Sequence, residues 1–215
     1  MTTKPTTHVL FVTDMSGSMS QLANDVRGGF NTYLSDLRKA KAEHGTRYRL
    51  TVTLFEAEFI SLCVGAKLAD TPDLTTVNYA PRGGTALLDA VGKTVLEFES
   101  KVTLADADRA LLVIQTDGEE NSSREFKWES IRDLLEAREK TGKWTIVYLG
   151  QGVNAWSQGQ RFGASTQTVD AGYSSSGTRS SYSGLAGATR SLAETGDGKG
   201  LGAMVAATPG ITDDE

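Results

Sequence analysis

The stretch Val9–Ser20, VLFVTDMSGSMS, hands a short apolar run over to a helical pattern within a few residues. His8–Thr13 is brief, continuous and rich in Val, Leu and Phe, the signature of a buried parallel strand. From Met19 the apolar residues Leu22, Val26, Phe30, Tyr33, Leu34 and Leu37 follow at spacings of three and four. That period gives a helix with one apolar face. The strand-then-helix unit returns at Arg109–Thr116, whose ALLVIQ is the clearest central strand, and at Trp144–Leu149. Strands alternating with helices predict a doubly wound, mainly parallel sheet with helices on both faces.

The remaining segments fit around that frame. Gly28 and Gly29 interrupt the first helix at ~1 kcal/mol each relative to Ala, which predicts a backbone lying close against the sheet there. Tyr48, Leu50, Val52 and Leu54 alternate with Arg49, Thr51 and Thr53, and Phe59–Leu68 follows after a turn. This predicts a hairpin that puts one antiparallel edge strand on the sheet. Asp70–Pro81 is a polar loop leading to Arg82-Gly83-Gly84-Thr85, and Leu87, Leu88, Val91, Val95 and Phe98 mark the next helix. Ser122 or Ser123 is the expected cap of a helix carrying Trp128, Ile131, Leu134 and Leu135, ended by Gly142. A short helix over about Ala155–Phe162, a weak strand at Gln167–Asp170 and a last helix through Tyr182, Leu185, Thr189 and Leu192 complete the pattern. The expected boundaries are an N-terminal arm over 1–7, one domain over 8–195 and a flexible acidic tail over 196–215.

Composition excludes several classes. The 215 residues suffice for one α/β domain with a real core, and 39% hydrophobic with 23% charged residues is globular. A net charge of −5 argues against a nucleic-acid partner. The single cysteine, Cys63, allows neither a disulfide framework nor a cysteine-rich metal site, and inside a strand it reads as a buried inert thiol. No stretch approaches the ~18 apolar residues of a membrane span, and MTTKPTTH lacks a signal-peptide core. The expectation is a cytoplasmic protein without membrane contact.

Three predicted strand-to-helix junctions carry oxygen ligands. The first places Asp14, Ser16 and Ser18 at alternate positions. The second places Thr85 after a glycine pair. The third places Asp117 at the end of the best core strand, before Gly118. In a doubly wound sheet such junctions share one edge, where ligands bind. Two carboxylates balance a divalent cation and three hydroxyls add neutral hard ligands, a set suited to Mg²⁺ or Mn²⁺. Taken singly, each residue also serves as a helix cap or a turn residue.

The pieces DMSGSMS, GGTALLDA and TDGEEN, in this order and on these elements, resemble the von Willebrand factor type A domain. The resemblance covers about His8 to Leu192 and includes a complete metal-ion-dependent adhesion site: Asp14, Ser16, Ser18, Thr85 and Asp117. It is to stand-alone members of bacterial or phage type. It implies a six-stranded sheet with one antiparallel edge strand. It implies that Ser16 and Ser18 hold Mg²⁺ directly, Thr85 directly or through water, and Asp14 and Asp117 mostly through water and hydrogen bonds. A sixth position is left for an Asp or Glu of a protein partner. Stand-alone members are often intracellular, and some work with AAA+ ATPases.

Other signals compete with this binding-module reading. Gly150-Gln151-Gly152-Val153-Asn154-Ala155, with Asp170 twenty residues after Gly150, imitates a dinucleotide fingerprint, although a structural turn is the better reading. A Mg²⁺-dependent hydrolase or phosphotransferase is the other alternative. Against it, the sequence has no phosphate-cradling loop and no evident general base. His8 and His44 have no zinc-ligand spacing, and no G-x-S-x-G elbow surrounds Ser16 or Ser18. Glu119 and Glu120 are candidates for acids beside a metal or for helix N-terminal residues.

Overall fold

The computed structural model describes residues 4–151, 155–172 and 174–208. In chain order the elements are β1 (Thr6–Asp14), a 3₁₀ turn (Gly17–Leu22), α1 (Ala23–His44), β2 (Arg47–Phe55), β3 (Phe59–Lys67), α2 (Leu87–Lys101) and β4 (Arg109–Thr116). They continue with α3 (Trp128–Glu139), β5 (Trp144–Gly150), α4 (Ala155–Arg161), β6 (Gln167–Asp170), α5 (Ser175–Thr195) and α6 (Leu201–Ala206). The strands form one six-stranded sheet in the order β3-β2-β1-β4-β5-β6. All neighbours are parallel except β2 and β3, which form the antiparallel hairpin at one edge.

The pleat divides the apolar residues between two cores. Val9 and Phe11 of β1, Leu111 and Val113 of β4 and Val147 of β5 meet Phe30, Tyr33, Leu34 and Leu37 of α1 and Tyr182 and Leu185 of α5. The alternate residues Leu10, Val12, Leu112, Ile114 and Ile146 meet Leu87, Val91, Val95 and Phe98 of α2 and Ile131 and Leu135 of α3. Period two on the strands and period 3.6 on the helices thus bury both faces, as the sequence requires. Because the parallel strands all run one way, the ends of β1, β4 and β5 lie at one edge with the connections to the helices that follow them, and the long segment after antiparallel β3 brings Thr85 and the start of α2 to the same edge.

Several boundaries differ from the expected ones. The N-terminal arm is shorter than 1–7, because Thr6 and Thr7 are buried in β1, paired with Arg47 and Tyr48 of β2. Gly29 does not lie against the sheet. A Cβ there would sit 2.3 Å from Cδ2 of Tyr182 in α5, so the glycine admits a helix rather than a strand, whereas Gly28 faces open space. The last helix begins at Ser175, well before Tyr182, because Ser174 caps it by accepting the Gly177 N–H at 3.1 Å. The segment after Gly196 is not all tail. Leu201 and Val205 of α6 are buried against the α1–α5 side of the sheet, and close approach at Gly184 lets α6 dock on α5. The acidic end, Asp213-Asp214-Glu215, lies outside the described residues.

Candidate metal centre

The β1 end places Asp14 at the centre of the edge with no exposed surface. Its Oδ1 accepts the Ser16 N–H at 2.6 Å, and its Oδ2 accepts the Thr116 hydroxyl at 2.5 Å. Thr13 pairs with Gln115, so the β1–β4 register itself sets Asp14 beside Thr116. Burial pushes the Asp14 carboxyl up to about 6, while the bonds from Thr116 and Ser16 work against that rise. The two serines follow in a chain. Ser18 Oγ donates to Asp117 Oδ1 at 2.7 Å, and Ser16 Oγ lies 3.1 Å from Ser18 Oγ. Since the Ser18 proton goes to Asp117, Ser16 is the donor in the second bond.

Thr85 arrives by a different route. Its N–H donates to Asn121 Oδ1 at 2.9 Å, and its carbonyl accepts the N–H groups of Asn121 and Ser122 at 3.0 and 3.2 Å. The β4–α3 loop therefore grips the Thr85 backbone and leaves its hydroxyl for the site. Gly118 shows where the three junctions meet. A Cβ built on it would lie 3.3 Å from Thr85 Oγ1, 3.7 Å from Ser18 Oγ and 3.8 Å from Asp14 Oδ2. A small space at the third junction, faced by oxygens from the other two, exists because residue 118 has no side chain.

The donor set fits a small hard cation. It offers two carboxylates and three hydroxyls, all oxygen. Among the described residues no three His, Cys, Asp or Glu side chains gather into a metal cluster, so the hydroxyls are essential to any such site. Mg²⁺–oxygen distances of ~2.1 Å are more than 1 Å shorter than the 3.3, 3.7 and 3.8 Å found around this point, so an ion here would draw the oxygens inward or reach some of them through water.

The surrounding loops are tied to one another. The Tyr79 hydroxyl donates to the Asp14 carbonyl at 2.7 Å, and the Met15 N–H donates to the Phe55 carbonyl at 2.7 Å. Buried Glu56 accepts from Arg82 Nε at 2.9 Å, and Gly83, at φ +69°, passes so close to Glu56 Oε2 that a side chain would collide with it. Glu120 accepts the N–H of Leu88 at 3.0 Å and those of Ser122 and Ser123 at 2.9 and 2.7 Å. It therefore caps a helix, but the helix is α2 rather than α3. Its oxygens are occupied by these donors, so it is not an acid beside the metal space.

That capping corrects the role expected of Ser122 and Ser123. Neither starts α3. Ser123 donates to Glu120 at 2.6 Å and accepts the Asp89 N–H at 3.1 Å, holding the loop against α2. The helix begins only at Trp128, where Ser130 Oγ donates to the Lys127 carbonyl and accepts its N–H. Asp89 returns the contact. Burial raises its carboxyl, but the N–H groups of Arg124, Phe126 and Glu125 outweigh that and hold it below the usual carboxylate range. The sequence reading did not single out Thr116, Tyr79, Asn121 or Glu56. For Thr116 and Asn121 the one signal is their place beside Asp117 in the TDGEEN stretch, and Tyr79 and Glu56 carry none.

The other singled-out residues lie elsewhere. His8 is buried between Phe98 and Asp108, and His44 ends α1. Cys63 is half-buried in β3, its thiol pushed up by burial. In the dinucleotide-like segment, Gly152, Val153 and Asn154 lie outside the described residues. Gly150 serves packing, since a Cβ there would lie 2.5 Å from the Ala155 Cβ, and Asp170 Oδ1 accepts the Gly172 N–H at 2.9 Å in its own turn.

No protein-family model and no curated protein matches the sequence. Solved structures do. Proximal thread matrix protein 1 from the mussel byssus, with a zinc-occupied MIDAS motif, is similar at 16% identity and a TM-score of 0.60, over 90% of this chain and 46% of that one. The PilB minor pilin of Streptococcus sanguinis is similar at 13% identity and a TM-score of 0.64, over 89% and 63%. The pilus adhesin SpaC of Lactobacillus rhamnosus GG, in its open conformation, is similar at 16% identity and a TM-score of 0.67, over 90% and 31%. The chain thus spans from about a third to under two thirds of the length of these proteins. At these identities the likeness is one of fold: a mixed six-stranded sheet of the von Willebrand factor type A kind, with one antiparallel edge strand and helices on both faces.

Proposed function

We propose that Asp14, Ser16, Ser18, Thr85 and Asp117 hold one divalent cation, Mg²⁺ or Mn²⁺, and that the cation holds a carboxylate of a protein partner. The observation that carries this reading is the space at Gly118, bounded by oxygens of Asp14, Ser18 and Thr85. Asp14 and Asp117 together neutralise a divalent charge, so the bound ion keeps its attraction for one more anionic oxygen. Thr116 and the Ser16 amide orient Asp14, Ser18 orients Asp117, and Asn121 fixes Thr85. The zinc-occupied MIDAS motif of the mussel protein supports a metal at the corresponding place in this fold.

The same geometry favours binding over catalysis. The Ser16 and Ser18 hydroxyls are bonded to each other and to Asp117, and the two histidines stand away from them, so neither serine is set up as a nucleophile.

Titration calorimetry tests the metal. One site for Mg²⁺ or Mn²⁺ is expected in the wild type and none in Asp14→Ala, with the far-UV circular dichroism of both proteins alike. Equal affinity in the two overturns the assignment. Affinity capture from the native host, in Mg²⁺ and in EDTA, then identifies the partner. The expectation is an acidic protein surface released by EDTA, and an AAA+ ATPase is one such candidate.

A further inference from the structure

Arg82 stands beside the candidate metal centre with only part of its guanidinium in use. The Arg82 backbone N–H donates to the Met15 carbonyl at 2.9 Å, and the Gly83 carbonyl accepts the Gly17 N–H at 3.2 Å. Residues 82–83 thus form a short ladder with the loop that carries Ser16. Backbones bonded in this way lie ~5 Å apart, which makes Arg82 an immediate neighbour of the hydroxyl cluster. The Arg82 side chain is 63% exposed, whereas that of its partner Glu56 is 9% exposed. Only Nε is engaged, at 2.9 Å from Glu56 Oε1, and among the described residues the two terminal nitrogens make no hydrogen bond. A guanidinium presents five N–H donors in a planar fork, so an edge suited to a carboxylate remains available. Glu56 cannot readily turn to fill that edge. Its other oxygen accepts the Ala57 N–H at 3.2 Å and is walled in by Gly83.

We infer that Arg82 is a second anchor for the partner held at the cation, and that the partner offers two acidic side chains, one to the ion and one to Arg82. This rests on the cation–carboxylate reading above. A chain of net charge −5 repels an acidic segment at long range, and Arg82, whose charge is already paired with Glu56, offers the segment directed N–H donors at short range. In an extended segment, side chains two residues apart point the same way at ~7 Å separation. The backbone bonds from Arg82 to Met15 and from Gly17 to Gly83 set Arg82 next to the loop that carries the hydroxyls, so the neighbouring side chain on such a segment is the one placed to meet it. The recognised chemistry is therefore an extended acid-x-acid segment. A single acidic residue leaves the Arg82 fork unfilled.

The test uses the full chain loaded with Mn²⁺ and reads water-proton relaxation, which falls when a ligand oxygen displaces water from the ion. The probes are two capped pentapeptides, Gly-Glu-Gly-Glu-Gly and Gly-Gln-Gly-Glu-Gly. Both are expected to lower the relaxation, the diacidic one at a concentration about tenfold lower, as a charge-assisted contact gives. Arg82→Gln, which can still donate to Glu56, is expected to abolish that advantage and leave the response to the monoacidic peptide unchanged. Arg82→Lys, which keeps the charge but not the fork, is expected to retain part of it. A diacidic advantage that survives in Arg82→Gln, or one absent from the wild type, overturns the assignment of Arg82 while the cation–carboxylate reading stands. Failure of Mn²⁺ to bind, or no response to either peptide, overturns that reading and the second anchor with it.

Discussion

Thr116 donates its hydroxyl to Asp14 across the β1–β4 pair, so a residue outside the five candidate ligands fixes the most buried carboxylate of the site. The same hydroxyl oxygen accepts the Gly118 N–H at 3.0 Å and so shapes the turn after Asp117. Thr116→Val keeps the volume and removes both contacts. Partners of this kind typically contribute 10- to 100-fold to metal affinity. Mn²⁺ affinity is expected to fall by about that factor while the thermal midpoint moves by only a few degrees. Calorimetry and circular dichroism on the same samples check this. An unchanged affinity would mean that Asp14 needs no orienting donor.

Gly28 and Gly29 are neighbours on α1 with opposite roles. Nothing lies within 4 Å of a Cβ placed on Gly28, whereas one on Gly29 would run into the Tyr182 ring. Gly28→Ala should therefore stabilise the protein by up to ~1 kcal/mol through helix propensity. Gly29→Ala should destabilise it by about 1–3 kcal/mol, because the ring, fully buried and bonded to Gln115, has nowhere to move. Urea denaturation of the two variants reads both signs. The same sign for both would break the α1–α5 packing argument.

The strands and the oxygen-bearing junctions were legible because period, length and residue chemistry are local properties. β4 and β6 run over the expected residues, and Asp14, Ser18 and Thr85 converge on one space. Apart from the start of α5, which Ser174 caps locally, the features that differ depend on long-range partners. Glu120 caps a helix that precedes it by more than thirty residues, so local pattern alone assigns the Ser122–Ser123 segment to α3 when its bonds go to α2. Gly29 answers to Tyr182 of α5, which no local window contains. Leu201 and Val205 give too short a pattern to signal α6, whose place is set by the surface of α5 and β6.

His8 makes stability depend on pH. Burial lowers its pKa from the ordinary 6.5, partly countered by Asp108 at 3.8 Å and reinforced by Arg49 and Arg47. The folded protein thus binds a proton here less readily than the unfolded chain does. The resulting stability is fully present above pH 6.5 and is lost as pH falls from there through the lower folded value. Urea midpoints measured at pH 7.5 and 5.5 should drop more in the wild type than in His8→Gln, which has no proton to gain. Equal drops in the two would assign the acid sensitivity to other groups.

Gly118 offers the most direct test of the site because it separates filling the space from damaging the fold. Its backbone is not among those with positive φ, so an alanine is compatible with its conformation. The added Cβ would meet Thr85 Oγ1 at 3.3 Å, a contact that a shift of a few tenths of an ångström relieves, and no backbone atom is among its nearest neighbours. Gly118→Ala should therefore fold with a stability within ~1 kcal/mol of the wild type. The methyl nevertheless occupies the point that Asp14, Ser18 and Thr85 surround, and a cation with ~2.1 Å oxygen contacts cannot share it. Loss of Mg²⁺ and Mn²⁺ binding by calorimetry is the expected result, with a native circular dichroism spectrum. A Gly118→Ala protein that folds and binds the cation as tightly as the wild type would move the ion away from this space, and the five-residue assignment would fall.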